Sequence, residues 1–271
     1  MGDDKSRAGD ESFCPPDFMA DPQVPASPQV ETVPELLQQI SNLKAPDDTA
    51  KRLYRGQPNH DLLLPRLYRP PKGTAKCDNA WINKTKDTEK ALLSKFKHDS
   101  AFLPSPPNND WDWLSLGQHY GLPTRLLDWT EHPLTALFFA LEKPDALKRP
   151  AVYAYFAAEN QIITTDEQKQ ELSPFGISNP CILQPGLHSI RVALQAGWHT
   201  ADAIHISNDG IEWVIALEHF QLHNKRLHRI YIVPDAAPKM CKELAERDIR
   251  HATVYGDLEF VCRSIRSQFG F

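Results

Sequence analysis

Apolar residues recur at helical spacing in several parts of this chain, and capping residues and prolines mark the ends of those parts. A period of three to four residues places one side of a helix against a core, and it therefore predicts helices. Asp110 is expected to cap the third helix, and Pro133 is expected in the first turn of the fourth. The predicted helices span residues 34–43, 87–103, 111–121, 134–142, 238–248 and 258–267.

Residues after position 150 follow a different pattern, with short runs rich in Val, Ile, Tyr and Phe between turn-forming residues. Such runs predict β-strands, which here read AVYAYFA, QIITT, SIRVALQA, EWVIALEHF and HRIYIVP. RLYRGQ, at residues 52–57, predicts one earlier strand. Because helices and strands are segregated, the predicted class is α+β: a single elaborated domain whose helical N-terminal half packs on a mixed or antiparallel sheet.

The first 35 residues differ from the rest in charge and composition. They hold eight acidic residues, two basic residues and six prolines. Residues 1–35 are therefore predicted to be an acidic, proline-rich, disordered arm that precedes a domain at residues 36–271. The rest of the chain has 27 acidic and 28 basic residues, a balance that does not indicate a basic nucleic-acid-binding domain. Since the sequence shows neither a membrane-spanning apolar run nor an apolar signal region, a cytoplasmic location is expected.

Several common kinds of site are excluded by the motifs that the sequence lacks. The five Cys residues are scattered and form no CxxC pattern, so neither a disulfide framework nor a metal site is predicted. The chain has no GxxxxGK[ST], GxGxxG, HExxH or GxSxG motif. Its function must therefore rest on less general features.

Arg55 and Gly56 form the first candidate site. An arginine near the end of a strand offers a bidentate fork to a phosphate, and a following glycine lets a ligand approach the main chain closely. The alternative is structural, in which Arg55 makes an ion pair and Gly56 turns the chain.

Polar residues also cluster between the third and fourth predicted helices. Gln118, His119, Arg125, Asp128 and Thr130 fall within thirteen residues of one another. Their side chains need partners once buried, and loops held on rigid elements often carry sites. Two interpretations stay open: a binding site, or a hydrogen-bonded scaffold in which Arg125 pairs with Asp128.

A third candidate lies near the C-terminus, in the sequence GDLEFV. Asp257 occupies the expected cap position of the last helix, and Glu259 lies in its first turn, where a carboxylate favours the helix dipole. Both residues are predicted to cap the helix, and Glu259 is also a candidate catalytic carboxylate.

Four segments in order resemble the characteristic motifs of the FRG domain family, which is named after its Phe/Tyr-Arg-Gly signature. They are LYRGQ, WLSLGQHYGLPTRLLDWTEHPLTALFFAL, IRVALQAGWHT and TVYGDLEFV. The resemblance covers about residues 50–265. The late motif departs from the family pattern of Phe-Pro-Asp-Leu-Asp-Gly, because this chain has YGDLEF at residues 255–260.

The chain is also similar, more faintly, to ADP-ribosyltransferases of the Arg, Ser/Thr, Glu type, and an ADP-ribosyltransferase-like split sheet is expected on that basis. The resemblance implies that Arg55 with Gly56 contacts the phosphates of NAD. Thr130, followed by HPLTALFFA, stands in the Ser/Thr place. The late strand that carries a Glu in those enzymes corresponds to RVALQAG, which offers Gln195 instead.

The resemblance implies roles for further residues and a substrate. NAD is the expected substrate, no metal is expected, and the aromatic rings of Tyr54 and Tyr120 would position ribose and nicotinamide. The implied catalytic residues are Arg55, Thr130, Gln195 and Glu259. The implied NAD-binding residues are Tyr54, Gly56, Gln57, His119, Tyr120, Arg125 and Asp128.

The function expected from these resemblances is an NAD-dependent ADP-ribosyltransferase-like toxin or phage-defence effector. Its acceptor would be a nucleic acid, with RNA favoured, or a protein, and a cognate antitoxin or regulatory protein would be its partner. Two alternatives stay open: a hydrolase with water as acceptor, and a non-enzymatic nucleic-acid-binding or protein-binding module that uses Arg55, Arg125 and the basic segment NKRLHR. The enzyme interpretation expects His119, Arg125, Asp128 and Thr130 to lie near Arg55.

Overall fold

The computed structural model describes residues 27–59, 62–69, 79–142, 149–186, 194–201, 204–206, 212–214, 217–218 and 226–256, with residues 262, 265, 266 and 269. Within these ranges the strands are β1 (Gln29–Val30), β2 (Thr49–Gln57), β3 (Leu126–Thr130), β4 (Ala151–Ala158), β5 (Ile162–Ile163), β6 (Cys181–Leu183), β7 (Gly197–Ala201), β8 (Ile204–Ile206), β9 (Glu212–Val214) and β10 (Leu227–Ile232). The helices are α1 (Val33–Asn42), α2 (Asn79–Asp99), α3 (Asp110–His119), α4 (Pro133–Leu141), α5 (Asp166–Glu171), α6 (Ala237–Glu246) and α7 (His251–Tyr255).

Eight of the strands form one mixed sheet in the order β1-β10-β4-β2-β3-β7-β6-β5, while β8 and β9 pair separately. Neighbouring strands of the large sheet are antiparallel except for the pairs β1/β10 and β5/β6. β2 pairs with β4 along its length but meets β3 through one residue pair, Tyr54 with Thr130. This junction, called the seam below, joins two half-sheets.

Helices cover the two half-sheets on the same side. One core cluster packs α1, α4, α6 and α7 against Tyr54, and another packs α2 and α3 against Leu126. Side chains an even number of positions apart in a strand point to the same side of the sheet, so those of Leu126 and Thr130 share one side. Tyr54 is the sheet partner of Thr130 and lies on that side as well. The space between α3 and α4 therefore lies above the seam. A third cluster, which includes Tyr153, Trp129 and Trp198, fills the opposite side.

Most predicted elements in the described ranges are confirmed in type. α1, α4 and α6 lie within two residues of their predicted bounds, and β4 and β10 occupy their predicted positions. α2 begins earlier than predicted and ends at Asp99. The side chain of Asn109, rather than Asp110, caps α3, because its Oδ1 accepts a hydrogen bond from the main-chain N–H of Asp112 at 2.9 Å. The mixed sheet with its helical cover agrees with the predicted class at this coarse level.

Two predictions about chain segments need correction. The folded part begins before residue 36, because β1 pairs with β10 and Val30 and Val33 are fully buried. Gln195 does not lie in a strand: it forms a turn with Ala196, which has a φ of 43°, and β7 begins at Gly197. Residues 1–26, the predicted strand residues 189–193 and most of the last predicted helix lie outside the described residues. None of the described helices combines the length and apolar content required to cross a membrane.

Candidate functional site

A cleft of about 340 Å³ lies above the seam, between α3 and α4. Its walls come from both helices, from β2, β3 and β7 at the seam, and from Tyr255 at the end of α7. The charged or potentially charged side chains of the lining are those of Arg55, His119, Asp128, Glu142 and His199. The aromatic side chains Tyr54, Trp129, Phe139, Trp198 and Tyr255 also line it.

Asp128 is the centre of the polar network in this cleft. Gln118 Nε2 donates a hydrogen bond to Asp128 Oδ1 at 2.5 Å, and Thr124 donates its hydroxyl to Gln118. His199 is the sheet partner of Asp128 in β7, and its Nδ1 lies 3.2 Å from the same carboxylate oxygen. His199 Nε2 lies 2.9 Å from Ser115 Oγ on α3. The contacts from Ser115 through His199 to Asp128 thus link helix α3 to strands β7 and β3.

The order of these three groups is that of a hydrolase triad, but their exposure is reversed. A nucleophilic serine must reach its substrate, whereas the aspartate of a triad is buried behind the histidine. Here Ser115 and His199 are buried, and the side chain of Asp128 is 67% exposed to the cleft. Ser115 and His199 therefore position the carboxylate, and Asp128 is the group that a ligand meets.

Asp128 is held in its ionised form. Burial disfavours a charge at this position, but the contact of His199 Nδ1 with Asp128 Oδ1 outweighs that effect. Arg55 and Gln118 act in the same direction, and the pKa of Asp128 is lowered from 3.8 to about 2. The cleft therefore presents a carboxylate anion at any physiological pH.

Arg55, at the floor of the cleft, connects strands β2 and β3 across the seam. It is the sheet partner of Tyr153, so its side chain leaves β2 on the side opposite to Tyr54. Its Nη1 donates to the main-chain oxygen of Asp128 at 2.6 Å, and its Nη2 donates to Gln57 Oε1 at 3.4 Å. No hydrogen-bond partner of Arg55 Nε is found among the described residues, and burial lowers the pKa of the guanidinium. The arginine thus takes the place of main-chain pairing where β2 and β3 separate.

Gly56 is required by packing. A Cβ atom at this position would lie 1.8 Å from the main-chain oxygen of Ala136 and 2.6 Å from the nitrogen of Ala140, both in α4. The glycine therefore lets α4 press directly on β2. The close approach that the structure shows is made by a helix of the same chain, and Gly56 also lines the cleft.

Thr130 and Gln195 both line the cleft, and they bind each other. Thr130 Oγ1 donates to the main-chain oxygen of Gln195 at 2.5 Å and accepts from the main-chain N–H of His132 at 3.1 Å. The Thr130 hydroxyl therefore connects the turn before β7 to the start of α4. Gln195 Nε2 is buried and has no hydrogen-bond partner among the described residues.

Arg125 lies away from the cleft, which corrects its predicted position. It is buried with Glu89 of α2: its Nε lies 2.9 and 3.0 Å from the two carboxylate oxygens, and its Nη2 lies 2.5 Å from Oε2. Its Nη1 donates to the main-chain oxygen of Pro174 at 2.6 Å. Burial alone would lower the pKa of Arg125, but the hydrogen bonds and charge of Glu89 raise it.

The remaining predicted site residues divide into three groups. His119 and Tyr54 line the cleft. Tyr120 is 75% exposed and Gln57 is buried under the seam, and neither contributes to the lining. Glu259 and its neighbour Asp257 lie outside the described residues. Of the four residues expected near Arg55, the structure brings His119, Asp128 and Thr130 to its cleft and places Arg125 elsewhere.

Sequence reasoning missed Ser115 and His199, and it also missed the wall formed by Phe139, Glu142 and Tyr255. Asp128 and His199 are far apart in the sequence and meet only through the register of β3 with β7. The sequence predicts a loop where strand β3 lies, so no local signal pairs the two residues. The described residues include no cluster of three or more His, Cys, Asp or Glu side chains that could hold a metal ion.

Comparison with known proteins adds one similarity. The sequence model of the FRG domain family matches residues 50–149. This range holds β2, α2, α3, β3 and α4, and with them Arg55, Ser115, Asp128 and Glu142, but it ends before His199 and Tyr255. No curated protein and no solved structure matches the chain.

Proposed function

We propose that this chain is an NAD-dependent ADP-ribosyltransferase and that Asp128 stabilises the cation formed in the reaction. The observation that carries the proposal is the ionised Asp128 carboxylate, with its pKa of about 2, in a cleft walled by aromatic rings. Breaking the bond between nicotinamide and ribose leaves a positive charge on the ribose, and a fixed anion nearby stabilises that charge.

The reaction divides into two bond changes. The bond from ribose C1′ to the nicotinamide nitrogen breaks, and nicotinamide leaves with the electron pair as a neutral molecule. An acceptor oxygen or nitrogen then bonds to C1′ and gives up its proton to solvent water. Asp128 supplies the negative charge during this transfer, a role for which the sequence resemblance implies His119, Asp128, Gln195 or Glu259.

The other cleft residues are assigned supporting roles in this proposal. Arg55 adds positive charge at the cleft floor, and its two Nη atoms each carry one further hydrogen with which to bind the pyrophosphate. Thr130 positions the turn that carries Gln195. The seam, where the two half-sheets share one residue pair, supports the proposed relation to the split sheet of ADP-ribosyltransferases.

The rival proposal of a nucleic-acid-binding module has less support. Arg125 is buried against Glu89, and Arg226, in the basic segment NKRLHR, makes two contacts of 2.6 Å with the carboxylate of Asp48. Two of the cations that would contact phosphates are thus already paired. We retain RNA as the favoured acceptor within the enzyme proposal, with DNA and protein as alternatives and an antitoxin or regulatory protein as the proposed partner.

Incubation of the protein with NAD labelled in its adenosine moiety, together with RNA, DNA or protein, tests this proposal. Label should enter one of the three pools, and nicotinamide should be released in equal amount. Asp128→Asn keeps the shape of the side chain and should lower the turnover about 100- to 1,000-fold. Asp235→Asn, at an exposed position outside the cleft, is the matched control and should leave turnover unchanged.

Two results would overturn the proposal. The first is the absence of nicotinamide release with every acceptor pool. The second is equal turnover in Asp128→Asn and in the control variant. Release of nicotinamide without label in any pool would instead favour the hydrolase, in which water is the acceptor.

A further inference from the structure

Glu142 lines the cleft at the end of α4, and among the described residues one of its two carboxylate oxygens has a partner. It follows the last residue of α4, and its Oε1 accepts a hydrogen bond from Tyr255 Oη at 2.8 Å. His251 Nε2 lies 3.6 Å from the same oxygen. The described residues provide no partner for Oε2, so this carboxylate is fixed through one oxygen and open through the other.

Aromatic rings lie next to this carboxylate. Phe139 precedes Glu142 by three residues and therefore lies on the same side of the helix end. Its ring packs edge to face with Tyr255, with ring centroids 5.9 Å apart and an interplanar angle of 87°. Phe139 is only partly buried, so its ring contributes apolar surface to the cleft. A flat ligand ring can pack against this surface.

An ionised carboxylate accepts hydrogen bonds and donates none, which limits the ligands that suit this position. A flat ring with an N–H donor outside the ring would pack on the aromatic surface and donate to Glu142 Oε2. A ring with a carboxylate in the same place would be repelled. Nicotinamide, with its carboxamide, and adenine, with its amino group, both meet this requirement.

We propose that Glu142, Phe139 and Tyr255 form a subsite for a planar heteroaromatic ring that carries an exocyclic amide or amine. The proposal deepens the proposed function, because it assigns one ring of the dinucleotide to this end of the cleft. Binding of the isolated rings does not require turnover, so the subsite is testable independently of the transferase activity.

Matched pairs of ring compounds test the subsite in ligand-observed NMR titrations of the full chain. Nicotinamide is compared with nicotinic acid, and adenine with purine. The compound with the exocyclic N–H donor should bind about 10- to 100-fold more tightly, which is the ratio expected for a hydrogen bond to a charged group. The pair that shows this ratio identifies which ring of the dinucleotide the subsite holds.

Glu142→Gln should remove the preference for nicotinamide over nicotinic acid, because the glutamine amide donates a hydrogen bond to a carboxylate. Tyr255→Phe, which frees the fixed oxygen of Glu142, should weaken the preference without abolishing it. Glu246→Gln, at an exposed position of α6, is the control and should behave as wild type.

Equal binding within both pairs, undetectable binding of all four compounds, or a preference for nicotinamide over nicotinic acid that survives Glu142→Gln would overturn the subsite. A preference that is lost in Glu142→Gln while NAD is not turned over would support the subsite and overturn the transferase. Turnover of NAD with no ring preference would support the transferase and overturn the subsite.

Discussion

Replacement of Arg125 by methionine should destabilise the fold severely and leave the cleft unchanged. Arg125 and Glu89 have side-chain exposures of 4% and 1%, and three nitrogen-to-oxygen contacts of 2.5 to 3.0 Å join them. The variant leaves the Glu89 carboxylate buried without its cation, and it also leaves the oxygen of Pro174 without its donor. Breaking one partner of such a buried pair costs about 3 to 5 kcal/mol.

This cost is a large part of the free energy of unfolding of an ordinary domain, which is about 5 to 15 kcal/mol. Urea denaturation of wild type and Arg125→Met, followed by tryptophan fluorescence, measures the difference. The double variant Arg125→Met/Glu89→Met removes both charges and replaces them with apolar groups. The double variant should recover most of the lost free energy of unfolding, because a buried ion pair often stabilises a fold no more than apolar side chains of similar volume do.

A separate measurement distinguishes this structural role from a role in ligand binding. At a temperature where Arg125→Met is still folded, its affinity for NAD should equal that of wild type, because Arg125 is not part of the cleft lining. A loss of stability below about 1 kcal/mol would refute the reasoning about the buried pair. A loss of NAD affinity in the stable double variant would refute the placement of Arg125 away from the ligand.

Two further variants test the seam and its carboxylate. His199→Ala should raise the pKa of Asp128 above about 2, because the variant removes the main group that favours the carboxylate anion. Carbon-detected NMR titration of the Asp128 carboxyl measures this pKa. An unchanged pKa would contradict the network of Ser115, His199 and Asp128. Since the folded pKa of Asp128 lies below 3.8, its ionisation stabilises wild type above about pH 4, and this contribution is lost as the pH falls towards 2. The contribution is under about 1 kcal/mol because the side chain is 67% exposed. Gly56→Ala should lower the free energy of unfolding by about 3 kcal/mol, because α4 must move from β2, and a loss near zero in denaturation would show that the packing there is loose.

The helices were predictable because local signals define them. α1 and α4 have apolar residues at helical spacing and a proline in the first turn, and both lie within one residue of the predicted bounds. Strand β3 was not predictable in the same way. Leu126, Leu127, Trp129 and Thr130 are all buried, since helices cover one side of the strand and the aromatic cluster covers the other, so no polar alternation marks it.

The candidate site was predictable only in part, for a related reason. Asp128 and Thr130 stand out in the sequence because they are polar residues within an apolar segment. Arg125 stands out equally, but its partner Glu89 lies in α2, and only the packing of α2 on α3 and β3 brings the two together. His199 gains its role from its sheet pairing with Asp128, which no local pattern encodes.

The cleft lies where the two half-sheets meet at the seam. On the cleft side each half-sheet has its own helices and its own core cluster, whereas on the opposite side the aromatic cluster of Tyr153, Trp129 and Trp198 spans both halves. Between β2 and β3 the main chains pair through one residue pair, which the Arg55 side chain supplements. A ligand that touches α3 on one side and α4 on the other spans both halves. Such a ligand therefore adds contacts between the half-sheets on the side where β2 and β3 share one main-chain residue pair.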